Sequence, residues 1–215
     1  MSNLHPLHPT TARSAVISTV TLPFDPAQPA GLRRQTLTEA LPAPLRAALD
    51  SGRIERHSRF TDDGFAGLDE MWTPPDGITP RDAELARRVL DDLEADILAP
   101  AAPNHLLGRI LALLSHYPAK ATSPEVEQLL AMDWADDLGE FPSWAIDQAA
   151  RVWRRTRKWR PSIAEMRALC EEACASERAL ADRLRAIVRA GRPVGALAEP
   201  SPVRDFTGAL RRMPG

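Results

Sequence analysis

The chain has 215 residues, 44% of them hydrophobic and 26% charged, with a formal net charge of −2. That balance excludes a generally basic coat for nucleic acid, which needs surplus positive charge to release counterions, so any nucleic-acid contact has to be local. The 20 prolines, set against one tyrosine and five phenylalanines, argue for one modest domain with loose flanks.

Residues 1–78 read as an irregular or disordered arm with one short helix. "HPLHPTTARS" and "LPFDPAQPAG" mix proline with small and polar residues and show no sustained period. The short helix is expected from about Pro42 to Asp50, ended by Gly52, with Leu45 and Leu49 on one side. From Arg53 to Gly77 the apolar residues Phe60, Phe65, Leu68, Met71 and Trp72 are spread among turn formers. This stretch reads as a loop over the helical domain, with a linear partner-binding motif as the alternative. No strand is predicted anywhere.

The signal changes at Thr79-Pro80, an N-cap followed by the proline favoured at the first helical position. Leu85, Val89, Leu93 and Ile97 then predict a helix to about Leu98. A second helix, between Pro103 and Pro118, carries leucine and isoleucine around more than half its circumference and is expected at the centre of the fold. Ser123-Pro124 opens a third, with Val126, Leu130, Trp134 and Leu138 in one stripe. Ser143 is read as the cap of a fourth, running to Trp159 with Ala145, Ala149, Val152 and Thr156 inward. Ser162 with Glu165 forms a capping box that opens the last helix, which Gly191 and Pro193 end. The expected fold is all-α, a four- to five-helix bundle over residues 79–190, followed by a flexible tail over 191–215 whose Phe206 and Leu210 form a docking cluster.

No residue set fits an enzyme template: the chain has no glycine-rich phosphate loop, no G-x-S-x-G elbow and no H-E-x-x-H. Neither a cofactor nor a small-molecule substrate is expected. His105 and His116 lack partner ligands for a metal, and Cys170 with Cys174, four apart on a helix, makes poor disulfide geometry and half a zinc site. Filling of the core or the surface is the better reading of the two thiols. With no apolar run of membrane-spanning length and no signal-peptide segment, a cytoplasmic protein without membrane contact is expected.

The densest chemical signal is Arg151 to Arg160, six bases without an acid, preceded from Ala121 to Ala150 by seven acids without a base. In the plainest account, Asp133, Asp136 and Asp137 neutralise a solvated basic face across neighbouring helices, each exposed pair contributing less than about 1 kcal/mol. The alternatives give the run a partner. Arg151, Arg154, Arg155 and Lys158 meet an acidic protein surface, or they meet phosphates while Trp159 stacks on a base. The candidate partner-binding set is therefore Arg151, Arg154, Arg155, Lys158, Trp159, Phe206 and Leu210.

"LLSHYP" at Leu113 to Pro118, Trp134 and Leu138 in "DWADDL", Pro142, Ala149 and "RPSIAEMR" at Arg160 to Arg167 together resemble the small helical module of bacteriophage replicative-helicase loader and inhibitor proteins. The resemblance covers about residues 104–175. It implies an all-helical, non-enzymatic phage or prophage adaptor that binds a hexameric replicative helicase, partly through a flexible C-terminal segment, and controls its delivery to the replication origin. From the residues alone, a DNA-binding regulator using the basic helix over residues 143–159, or a structural phage component, stands as the alternative.

Overall fold

The computed structural model describes residues 22–62, 64–118 and 123–191. Along them run α1 (Ala30–Ala40), α2 (Ala43–Ser51), β1 (Arg53–Thr61), β2 (Gly64–Thr73), α3 (Pro80–Asp92) continued by a π-helical turn over Leu93–Ile97, α4 (Pro103–Leu114), α5 (Pro124–Leu138), α6 (Ser143–Thr156) and α7 (Ile163–Ala190). The fold is mixed α and β. The expected all-α bundle of four to five helices is overturned by an antiparallel hairpin and by two packed helices ahead of Thr79.

Helix starts follow local chemistry. At Thr79 and Ser162 the hydroxyl accepts the N–H of Asp82 or Glu165, and that carboxylate accepts the N–H of the capping residue, so two exposed donors are satisfied at each end. α3, α4 and α5 each begin on a proline, whose missing N–H would have had no helical partner there.

The 28 residues of α7, about 42 Å at helical rise, form the axis of two hydrophobic cores. Its C-terminal half, through Leu180, Leu184 and Ile187, packs with α1, α2 and α3 in the first core. Its N-terminal half, through Met166, Cys170 and Ala173, packs with α4, α5 and α6 in the second. Leu98 and Trp144 pack against both.

The core therefore does not begin at Thr79. Leu22, Leu37 and Leu41, placed by sequence in the irregular part of the arm, and Leu45 and Leu49, placed on its short helix, are all buried in the first core. The short helix read from Pro42 to Asp50 corresponds to α2, but α1 has no sequence counterpart because its inward face holds a charge. Arg33 is fully buried there while Leu32 faces out.

The hairpin corrects the loop reading of Arg53 to Gly77. β1 and β2 pair antiparallel from Arg53 with Thr73 to Thr61 with Gly64, with a bulge where β2 carries one extra residue between the partners of Arg59 and Phe60. Gly64 and Gly67 hold φ of +110° and +120° at the turn and bulge, a region that side chains rarely adopt. The hairpin is anchored at its base only: Trp72 packs on the first core and Arg183 of α7 stands 5.9 Å from its ring centroid. A Cβ on Gly52 would lie 2.2 Å from the Trp72 indole, so glycine is required at that approach. Among the described residues, no helix is long and apolar enough to cross a membrane.

Candidate functional site

α4 carries more apolar residues than one face can bury. Leu106, Ile110, Leu113 and Leu114 enter the second core, but Leu111 remains 58% exposed, so the helix expected at the centre of the fold has one apolar side open. α5 is buried through Trp134 and Leu138 alone, and the upper half of its predicted stripe stands open, Val126 at 43% and Leu130 at 38% exposure, with Leu129 and Met132 also out. Between the two helices lies a groove of about 650 Å³, lined by Leu107, Leu111, Leu130, Trp134 and Tyr117, with Glu127 and Arg160 as its charged walls. A contiguous apolar surface rimmed by charge is the ordinary signature of an interaction site.

Arg160 ties the groove to the basic run. α6 ends at Thr156, where the Arg157 N–H bonds the Trp153 carbonyl at 2.8 Å and the backbone turns extended, so the predicted helix to Trp159 is two to three residues too long. Arg151, Arg154 and Arg155 are exposed on α6; Lys158 and Trp159 lie in the connection to α7. Arg154 and Arg155 occupy the last turn, where the carbonyl end of the helix favours positive charge.

The two tryptophans of the run divide into a buried and an open one. Trp153 is in the core and its indole N–H donates to the Trp159 carbonyl at 2.9 Å, while the rings meet edge to face with centroids 6.3 Å apart. The Arg157 guanidinium lies 5.8 Å from one ring centroid and 5.6 Å from the other. Trp159 nonetheless keeps 53% of its surface exposed, held in place by a fixed backbone. Phe206 and Leu210 lie outside the described residues.

The neutralising contact between acidic α5 and the basic run is not made: among the described residues no ion pair joins Arg151, Arg154, Arg155 or Lys158 to Asp133, Asp136 or Asp137. The acids of the second core's surface pair elsewhere. Glu140 accepts from Arg167 and Arg178 of α7, and the Arg167 hydrogen bond, outweighing burial, holds its carboxyl below the usual range. Burial works against ionisation of Asp147, but the hydrogen bond and charge of Arg109 at 2.6 Å, with His105 at 3.1 Å, keep it below that range too.

Nucleophilic and metal chemistry find little footing among the described residues. Cys170 and Cys174 are buried, and burial pushes the Cys170 thiol up to about 12, far from the thiolate a nucleophile needs. No group of three or more His, Cys, Asp or Glu is arranged there to hold a metal ion. Sequence reasoning missed the groove, although one signal pointed to it: α4 has more apolar residues than one face can bury. Comparison of the chain with family models, with curated proteins and with solved structures finds no match.

Proposed function

We propose that the chain is a non-enzymatic adaptor of phage or prophage type that docks on a hexameric replicative helicase. The observation carrying the docking reading is the open α4–α5 groove, continuous through Arg160 with an exposed basic run. Such a groove accepts the apolar face of an amphipathic helix, and the bases beside it select acidic residues along one flank of that helix. The helicase itself is supported by the resemblance across residues 104–175, a stretch that matches the second core closely.

Titration of the host's purified replicative helicase with the full chain tests the proposal. Leu111→Asp and Leu130→Asp, both at exposed positions, are expected to leave the fold intact and weaken binding by about tenfold or more. No helicase binding, or unchanged affinity in both variants, overturns it. The second reading, a local DNA contact, is favoured by the half-exposed Trp159 in a run whose Arg154, Arg155 and Lys158 are exposed. It predicts single- or double-stranded DNA affinity of roughly 1 µM to 0.1 mM at physiological salt, abolished by Trp159→Ala together with reversal of Arg154 and Arg155.

A further inference from the structure

A two-stranded hairpin is marginal in water unless a third strand or a helix covers it. Here the helical body covers only the base. Beyond Trp72, the apolar residues of the ribbon stand in solvent, Ile54 at 54%, Phe60 at 71% and Phe65 at 64% exposure. β2 is the strand that rests on α7, through Trp72 and Arg183. β1 therefore carries the outer edge, a row of backbone donors and acceptors of the kind that templates another strand.

The sequence of that edge is complementary to itself. When β1 is laid antiparallel against a second β1 with His57 facing His57, Glu55 falls opposite Arg59, Ile54 opposite Phe60, and Arg56 opposite Ser58. Directly opposed residues share a face, so Glu55 and Arg59 meet on one side, while on the other Ile54 and Phe60 meet at both ends of a stretch that holds Arg56 and Ser58. On that second side, the pairing already present within each hairpin sets Trp72 beside Ile54 and Phe65 beside Phe60. Joining two copies creates an uninterrupted row, Trp72 and Ile54 of one copy followed by Phe60 and Phe65 of the other, and the twofold repeats it at the far end. A register slip of one residue would set Glu55 against Ser58 and Ile54 against Arg59, destroying both matches.

We propose that the hairpin pairs two copies of this chain, β1 against β1 about a twofold at His57, to give a four-stranded antiparallel sheet in the order β2–β1–β1–β2. The interface is isologous and closes at two copies, because each copy uses its single β1 edge in the pairing. The exposed phenylalanines at the tip of one hairpin then cover Ile54 and Trp72 at the base of the other.

Sedimentation equilibrium of the full chain reads the pairing directly. The wild type is expected at twice the chain mass. Glu55→Arg places two arginines opposite each other at both symmetric sites, and Arg59→Glu places two glutamates there, so each variant alone is expected to fall to the single-chain mass. An equimolar mixture of the two restores an Arg–Glu pair at every site and is expected to return to twice the mass, which loss of folding in either variant would not allow. A wild type of single-chain mass at every concentration overturns the proposal. So does a twofold mass that neither substitution reduces, or a mixture that fails to reassociate while both variants keep the wild-type helicity.

Discussion

Arg33 and Glu177 are the two charged residues most deeply buried in the described chain, and their side chains are completely covered. The Arg33 Nε donates to Glu177 at 2.8 Å, its other nitrogens reach the carbonyls of Gln28 and Ala173, and its plane lies 4.9 Å from the Trp144 ring centroid. Every guanidinium nitrogen has a hydrogen-bond partner, which is the kind of pairing a buried ion pair needs to repay desolvation. Arg33→Ala is expected to cost about 3 to 5 kcal/mol in urea denaturation, because it leaves the buried Glu177 carboxylate with only the Ser176 hydroxyl and no opposite charge, whereas Arg33→Met with Glu177→Leu is expected to recover most of that loss. A second prediction follows from Glu140 and Asp147, both of which ionise at lower pH when folded than when unfolded. As pH falls, the unfolded chain takes up protons first, so the stability these pairs contribute is complete above the ordinary carboxylate range and is lost below about pH 4. The melting temperature is expected to drop through that window, and Glu140→Gln to shallow the drop.

Among the elements, α5 is the least evenly held, with Trp134 and Leu138 buried at one end and open leucines at the other. Trp134→Ala is expected to cost about 3 to 5 kcal/mol, read as a lower denaturation midpoint, since it empties a buried position of the second core. Reversing Arg154 and Arg155 to glutamate is expected to leave helicity nearly unchanged, arginine and glutamate both being good helix formers, while slowing association with an acidic partner in a salt-dependent way. These elements also show what sequence can reveal. Thr79, Ser123-Pro124 and Ser162 announce α3, α5 and α7 because caps and prolines act within a few residues. α1 and the hairpin were hidden because their signals are not local: Arg33 looks like a surface residue until Glu177, 144 positions away, is placed beside it. Strand alternation conveys a buried face, and β1 has none. The candidate site was half legible, since the basic run is visible in composition, but the groove exists only where α4 and α5 fail to cover each other.

At the scale of the molecule, α7 makes the two cores depend on each other through a shared helix and the Arg33–Glu177 junction. A fragment starting at Thr79 would bare the faces of α3 and α7 that α1 and α2 cover, so it is expected to aggregate or melt well below the full chain, in contrast to a bundle complete over 79–190. The groove and the basic run sit on the second core, away from the hairpin, which leaves one surface for a partner and another for a second copy. The central claim, that the partner is gripped by the open half of α5 together with the loop after α6, is tested most directly by amide hydrogen exchange of the full chain with and without the purified replicative helicase. Slowed exchange is expected over residues 124–132 and 157–160, whose side chains are almost all exposed in the free chain. Binding that slows exchange elsewhere and leaves both of these segments unchanged would contradict the account.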